Sequence, residues 1–279
     1  MSATTVRVEA LPSAVRLGVA RARHEVRLFF RERDAVFFIF VYPILMLAIF
    51  ATVWGDADPL GADGVEISFA QYFLPGMIAT GIMLTSFQNL TVTIAVERDE
   101  GVLKRLRGTP LPASSYFLGK VGQVMVTTAG QMVLLLAVAA LAFDVPMPSD
   151  AAHWWTFAWV LVLGTATGSV CGVGFSSLPR SGRSAGAVVT PVVLILQFIS
   201  GVFFQFDSLP TWMQNLASLF PLKWMAQGMR SVFLPDEAKA FEPSGSWQHG
   251  AIAAVLVAYL VVGLVLGARR FRWLRRDAG

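Results

Sequence analysis

Few side chains in this 279-residue sequence are of the types that perform catalysis or bind metals. There is one cysteine, Cys171, and the three histidines, His24, His153 and His249, lie far apart in the chain. A metal site built from thiolates or imidazoles needs several ligands at close, regular spacing, which this set lacks. We therefore predict no catalytic residue and no metal ligand.

The dipeptide Gly119-Lys120 resembles part of a nucleotide-binding motif. A phosphate-binding loop has the pattern GxxxxGK[ST], which requires a glycine where Ser114 stands and a serine or threonine where Val121 stands. We therefore expect the chain to bind no cofactor of its own. If ATP drives its activity, ATP and Mg²⁺ are bound by a separate polypeptide.

Uncharged hydrogen-bonding side chains are the polar groups found within the apolar stretches of the sequence. They could line a path for an amphiphilic molecule, or they could form hydrogen bonds between helices. Two phenylalanines near the end of the fifth apolar stretch are further candidates for such a path. The candidate pathway residues are Thr85, Gln88, Asn89, Gln131, Gln197, Phe203 and Phe204. The residue types leave both interpretations open.

A short charged segment, residues 97–107, lies between the second and third apolar stretches. It has one apolar edge, and the Gly and Pro residues at 108–112 end it. Such a helix is suited to docking in a groove on a soluble partner, or to resting on lipid headgroups. Its candidate contact residues are Glu97, Glu100, Gly101, Leu103 and Leu106.

Six stretches without Asp, Glu, Lys or Arg are each long enough to cross a bilayer, which takes about 20 residues. A charge at the bilayer centre costs about 2.5–3.5 kcal/mol, so runs without charge mark membrane spans. The stretches are 35–54, 72–96, 121–143, 154–178, 185–206 and 250–268. Because 55% of the residues are apolar and 14% charged, an ordinary soluble enzyme is excluded. We predict an all-α, polytopic membrane protein with six transmembrane helices.

The 22 Lys and Arg residues are divided unequally between the two sides of such a bundle. Nineteen precede the first span, follow the sixth, or lie in the loops after the second and fourth, whereas only Lys223, Arg230 and Lys239 lie on the other side. Cytoplasmic loops are the ones enriched in basic residues, so both termini are expected in the cytoplasm. Arg outnumbers Lys by 18 to 4 and Ala, Val and Gly are abundant, a composition that suits a bacterium with a GC-rich genome, so we expect a bacterial cell membrane. This distribution reflects topology, and we expect no nucleic acid partner.

The segments that flank the spans have patterns of their own. Residues 1–34 form a basic arm in which 13–33 read as an amphipathic interfacial helix, with Val15, Val19 and Val26 on one face. A solvated basic arm is the alternative. Residues 269–279 form a basic cytoplasmic tail.

Residues 207–234, before the last span, are too polar to cross a membrane and too aromatic for a plain loop. We predict short re-entrant helices on the outer side, with Trp212 and Trp224 at headgroup depth. In the fourth span, Gly164, Gly168 and Gly172 recur every four residues, a spacing that lets two helices approach closely. The close contact could lie within the bundle or at a dimer seam.

The order of these motifs resembles the permease subunits of ABC-2 type transporters, the daunorubicin-resistance-like exporters in particular. Three groups of residues carry the resemblance. They are Glu97-x-x-Glu100-Gly101-x-Leu103-x-x-Leu106-x-x-Thr109-Pro110-Leu111 with Gly119-Lys120, Ser200-Gly201-Val202-Phe203-Phe204, and Leu209-Pro210-x-Trp212 with Phe220-Pro221-Leu222. The likeness extends over nearly the whole chain and makes residues 35–268 a six-span ABC-2 type transmembrane domain.

The resemblance implies a homodimer, or a pair with a similar permease, bound to two copies of a cytoplasmic ABC ATPase. Segment 97–107 would be the coupling helix, with Glu97 and Glu100 paired to basic groups of the ATPase. Segment 13–33 would be the interfacial connecting helix. The expected function is ATP-driven export of hydrophobic or amphiphilic compounds, drug-like or lipid-like, from a membrane whose lipids contact the protein.

Three other functions remain open from the sequence. One is export of lipid-linked glycans or teichoic acid precursors, which a wide channel edged by aromatic residues at the membrane surface would favour. A membrane enzyme acting on lipids would need a cluster of acids or histidines, and the sequence offers none in its spans. The third is a scaffold or immunity protein that transports nothing.

Overall fold

The structure is a computed structural model that describes residues 13–55, 60–62, 65–109 and 111–270. The start of the predicted basic arm, residues 1–12, and most of the predicted tail, residues 271–279, lie outside the described residues.

The described chain is almost entirely helical, as the composition predicts. A π-helical turn, Leu84–Asn89, joins the third and fourth helices, and a 3₁₀ helix, Asp236–Phe241, follows the tenth. The α-helices are α1 (Ala14–Arg31), α2 (Arg33–Val53), α3 (Phe69–Met83), α4 (Leu90–Asp99), α5 (Val102–Arg107), α6 (Ala113–Ala142), α7 (Ala151–Phe175), α8 (Gly182–Ile199), α9 (Thr211–Ala217), α10 (Pro221–Phe233) and α11 (His249–Arg270).

A two-stranded antiparallel ribbon lies between α2 and α3. Strand β1 (Leu60–Ala62) pairs with β2 (Val65–Ile67), with Gly61 opposite Glu66.

Five of the helices are long and apolar enough to cross a membrane: α2, the continuous helix Phe69–Asp99 that includes the π-helical turn, α6, α7 and α8. The sixth predicted span corresponds to α11, in which the described residues form a shorter apolar helix, His249–Val265. The all-α polytopic fold predicted from the sequence is confirmed.

The second span is the centre of the bundle. Every residue from Tyr72 to Met83 is buried, and the helix packs against α2, α6, α7 and α10. A helix that is apolar on all sides is typical of such an interior position. The other spans surround it and expose large apolar side chains such as Phe38 and Val133, which suits contact with lipid.

The glycine ladder of α7 lies against the second span and α10. A side chain at Gly168 would collide with Ser86 of the π-helical turn, and one at Gly172 would meet the carbonyl oxygens of Ser86 and Phe87. Gly164 faces Met225. The close approach that these glycines permit is therefore inside the bundle.

The two ends of the bundle carry different structures. At one end, the α5 end, α1 lies along the first half of α6, where Gly119 and Gly122 leave room for Arg21 and Ala22. At the opposite end, the α10 end, α9 and α10 fold back between the spans. Helix α10 is buried along most of its length against α3, α7 and α11, so this part of the predicted re-entrant segment belongs to the core, whereas α9 is mostly exposed.

Candidate functional site

Helix α5 reverses the chain direction at the end of α4 and lies at the surface. The reversal occurs at Gly101, whose φ of 74° is in the left-handed region that glycine adopts most readily. Glu100, Lys104, Arg105 and Arg107 are exposed. The surface that α5 presents is therefore mainly basic.

Two residues predicted to contact a partner face inward instead. Leu103 is 2% exposed and packs into the protein itself, so it anchors α5 and leaves the half-buried Leu106 as the apolar residue of the outer surface. Glu97 belongs to the last turn of α4, not to α5, and points toward α6. The short helix is thus Val102–Arg107 rather than the predicted 97–107.

Glu97 is held by two groups of α6. Its Oε2 accepts a hydrogen bond from the Tyr116 hydroxyl at 2.6 Å, and its Oε1 lies 2.5 Å from the Lys120 ammonium nitrogen. Lys120 is 1% exposed and also contacts Glu25 Oε2 at 2.7 Å, while Arg21 pairs with the other oxygen of Glu25. We call these four charged residues, Arg21, Glu25, Glu97 and Lys120, the charge tetrad.

The charge tetrad joins three helices. Two positive and two negative groups neutralise one another, which is the condition under which buried charges are tolerated. Because α1, α4 and α6 each contribute, a displacement of α4 at its α5 end must carry α1 and α6 with it or break an ion pair.

The same end of α4 is tied to the connection between α7 and α8. Arg98 Nη2 donates to the Pro179 carbonyl at 3.1 Å, and Asp99 Oδ2 accepts from the Gly182 backbone N–H at 3.1 Å. A carboxylate at a helix N-terminus satisfies a free N–H and interacts favourably with the helix dipole. The α4 end that carries α5 is therefore attached to α1 and α6 through the charge tetrad and to the connection between α7 and α8.

Most of the candidate pathway residues with polar side chains form contacts between helices. Thr85 donates to Gln131 Oε1 at 3.0 Å, and Gln131 Nε2 donates to the Ile39 carbonyl at 2.6 Å. Gln88 donates to Thr190 of α8 at 3.3 Å. The structure therefore gives these residues the helix-packing interpretation that the sequence left open.

The remaining polar candidates occupy different environments. Gln197 is buried in α8, and Asn89 is half-buried at the end of the π-helical turn. Neither contributes to the cleft that contains the two phenylalanines.

Phe203 and Phe204 line an apolar cleft near the α10 end, with a volume of about 560 Å³. A cleft of this size accommodates a drug-sized molecule. None of the described residues that line it is charged. The Phe50 ring contacts two other rings of the cleft, and its centroid lies 4.4 Å from that of Phe73 and 5.5 Å from that of Phe203. The lining residues are Tyr42, Met46, Phe50, Trp54, Phe69, Tyr72, Phe73, Leu194, Phe198, Phe203, Phe204, Gln205 and Ser208. We call this site the aromatic cleft and residues 200–208, which supply one wall, the cleft loop.

A second buried charge cluster lies behind the cleft. Arg230 of α10 donates through Nε to Glu242 Oε1 at 2.7 Å, and the Lys223 ammonium lies 3.9 Å from Glu242 Oε2. Lys223 also lies over the rings of Trp224 and Phe206, 4.0 and 5.0 Å from their centroids. In the sequence, Lys223 and Arg230 stand out only as two of the three basic residues expected on the outer side. Opposite charges within an otherwise apolar and aromatic segment were the signal that could have identified them.

Asp236, in the connection after α10, is paired with two groups of the same connection. Hydrogen bonds from Lys239 and from the Trp247 indole hold the pKa of Asp236 below its usual value. Among the described residues, no group of His, Cys, Asp and Glu has an arrangement that could hold a metal ion.

Known proteins with similar sequences are membrane permeases. The inner membrane transport permease YadH of Escherichia coli (strain K12) is 26% identical over 197 residues, which cover 70% of this chain and 75% of YadH. The probable multidrug ABC transporter permease YbhR of the same strain is 24% identical over 192 residues, 68% of this chain and 50% of YbhR.

A family match covers most of the described structure. The model of the ABC-2 type transporter family matches residues 19–234, from α1 through α10. Together with the apolar helices, these similarities support a multi-pass inner membrane protein that acts with an ABC ATPase. The chain therefore belongs to the ABC-2 type transporter family, as a membrane permease of an ABC transporter.

Proposed function

We propose that this permease exports hydrophobic or amphiphilic compounds, using ATP and Mg²⁺ bound by a separate ATPase. The aromatic cleft is the observation that carries the proposal. Its rings provide apolar contact area, while the amide of Gln205 and the hydroxyls of Tyr42 and Ser208 provide a few polar groups. This combination is typical of small-molecule sites. The relative YbhR, named as a multidrug permease, supports the same substrate class.

The cleft is open at its rim, which allows a ligand to enter from the membrane. Phe204 is 51% exposed, and Trp54 and Phe198 are also exposed. An amphiphile that is already dissolved in the bilayer could insert its apolar part between these rings without first crossing water.

We propose that α5 docks on the ATPase as the coupling helix. Its exposed residues Lys104, Arg105 and Arg107 favour an acidic receiving surface, with Leu106 as the apolar contact and Glu100 at the edge. The inward position of Glu97 assigns that residue to the charge tetrad, so we do not retain its proposed contact with the ATPase.

The full transporter would contain two permease copies and two ATPase subunits, with both permease termini in the cytoplasm. The basic surface at the α5 end and the charge distribution of the loops support the cytoplasmic position of the termini, and the copy numbers follow from the family resemblance. ATP-driven closure of the ATPases would move α5, and the charge tetrad would transmit that movement to α1 and α6.

Export of lipid-linked glycans is less well supported, because it would use a wide channel, whereas the aromatic cleft has the size of a drug-like molecule, about 560 Å³. A lipid-modifying enzyme would use acids free to transfer protons, whereas Glu25 and Glu97 are both engaged in ion pairs.

An efflux assay tests the substrate class. Cells that express the permease with an ABC ATPase are loaded with the apolar dye Nile red, and the rate of its ATP-dependent efflux is measured. We expect Phe204→Ala to reduce that rate about tenfold, the effect of losing roughly 1.5 kcal/mol of aromatic contact. Phe38→Ala is the matched control, because Phe38 is exposed and outside the cleft. Equal efflux by the two variants would contradict the proposal.

A further inference from the structure

The guanidinium of Arg230 joins three segments of chain that are distant in sequence. Besides its bond to Glu242, it donates from Nη1 to the Gly201 carbonyl at 3.1 Å. Arg230 is 2% exposed, and the Glu242 side chain is fully buried. Hydrogen bonds of a charged group are stronger than neutral ones, and more so where water is excluded.

The bond to Gly201 holds the cleft loop at its first turn. Gly201 has a φ of 70°, in the left-handed region that glycine adopts most readily, and its carbonyl accepts the hydrogen bond from Arg230. A side chain at this position would lie 2.9 Å from Phe206 Cβ, so the turn requires glycine for space as well as for conformation. Phe203, Phe204 and Gln205 follow within four residues and form the wall of the cleft.

The other end of the cleft loop rests on the same cluster. The Phe206 ring lies beneath the Lys223 ammonium, and Lys223 is itself held beside Glu242 and hydrogen bonded to Gln227. The loop that supplies one wall of the cleft is thus attached to α10 through Arg230 at one side and through Lys223 at the other.

We propose that Arg230 is a positioning residue for substrate binding: its bridge between Glu242 and Gly201 fixes the cleft loop and so sets the shape of the aromatic cleft. Arg230 does not touch the ligand. When the bridge opens, the loop moves away from α3, and the wall formed by Phe203 and Phe204 is displaced. The role in substrate binding rests on the proposed function, whereas the attachment of the loop can be tested without it.

Cysteine labelling measures the attachment directly. The full chain carrying Cys171→Ser and Gln205→Cys is placed in lipid nanodiscs, and the rate of reaction with a sulfonated, membrane-impermeant maleimide is recorded. We expect the introduced cysteine to react about tenfold faster in the Arg230→Lys variant than in the protein that retains Arg230. Lysine cannot reach both partners of Arg230, so one hydrogen bond of a charged group is lost. Glu242→Gln keeps a neutral hydrogen-bond acceptor for Arg230, so the cysteine in this variant should react about threefold faster than in the protein that retains Glu242.

Two controls separate loop movement from unfolding. Ser177→Cys, exposed near the α5 end, should react at the same rate in all variants. The melting temperature identifies variants that are folded, and Arg230→Lys is preferred to Arg230→Ala because it preserves the charge beside Glu242. A folded Arg230→Lys or Glu242→Gln protein that reacts at the original rate would overturn the proposal.

Nile red efflux then links the loop to the ligand. We expect Arg230→Lys to raise the dye concentration for half-maximal efflux about tenfold, because the hydrogen bond that holds the cleft loop is lost. An unchanged half-maximal concentration with faster labelling would overturn the role in substrate binding. If the unmodified protein exports no dye but the labelling rates change as expected, the proposed function fails and the attachment stands.

Discussion

At the scale of single residues, Lys120 shows how strongly position determines the role of a charge. It lies within reach of Glu25 and Glu97 and is almost completely buried. Removing one member of a buried ion pair leaves its partner uncompensated in a medium of low dielectric constant. Lys120 therefore stabilises the α5 end far more than an exposed lysine could.

We predict that Lys120→Met destabilises the protein by about 3–5 kcal/mol, because two carboxylates lose their common partner. The melting temperature in detergent, read by tryptophan fluorescence, measures this effect. Lys104→Met is the control, since Lys104 is exposed on α5 and its replacement should leave the melting temperature unchanged. Identical melting of both variants would show that the tetrad contributes nothing.

The sequence identified several of these residues but not their orientations. The family pattern placed Glu97 and Leu103 in the coupling segment, yet both face the protein interior. A six-residue helix has too few residues for its pattern to define which face is buried. Phe203 and Phe204, selected as pathway residues, do line the cleft, where aromatic character alone is informative.

At the scale of elements, the packing of α7 against the second span depends on its glycines. Gly168 and Gly172 allow the π-helical turn to approach the helix backbone, and Thr91 adds a hydrogen bond to the Gly172 carbonyl at 3.1 Å. Small residues at four-residue spacing produce this kind of contact in membranes.

Gly168→Leu should prevent this contact, because the new side chain would occupy the position of Ser86. We expect lower yield of folded protein and destabilisation of about 1–3 kcal/mol or more from overpacking. Gly174→Leu on the same helix is a matched control, since nothing lies within 4 Å of a Cβ at that position. Size-exclusion profiles and melting temperatures provide the comparison, and a native profile for Gly168→Leu would contradict the packing.

Element boundaries could be predicted where charge defines them and not where backbone geometry does. The second span, expected over 72–96, is the helix Phe69–Asp99, and the hydropathy pattern did not predict the π-helical turn within it. The fifth span, expected to reach residue 206, ends as α8 at Ile199. The left-handed turn at Gly201 redirects the apolar residues that follow into the cleft loop.

At the scale of the whole molecule, the net charge of +4 conceals two opposed surfaces. Basic residues concentrate in the arm, the α5 region and the tail, whereas the connections near α10 carry few. Such asymmetry orients a polytopic protein in the membrane. The helical class, five of the six predicted spans and the membrane location could be predicted because hydrophobicity and charge act at this scale, while the sixth span corresponds to the shorter apolar helix His249–Val265. The cleft could not, since its walls come from α2, α3, α8 and a loop that no local pattern brings together.

We predict that both termini are cytoplasmic. Alkaline phosphatase fused after Gly279 should be inactive, because it folds only outside the cytoplasm, and green fluorescent protein at the same position should fluoresce. An active phosphatase fusion would require the opposite orientation.

Copurification measures the association of this permease with an ABC ATPase. Tagged permease from its native membranes is recovered together with bound proteins, which are quantified by mass spectrometry. The α5 surface predicts that Leu106→Glu with Arg107→Glu reduces ATPase recovery at least about tenfold, through charge repulsion, at an unchanged melting temperature. Ser244→Glu, exposed near the α10 end, should recover the ATPase fully. Recovery of no ABC ATPase by the unmodified permease, or full recovery by the α5 variant, would contradict the account.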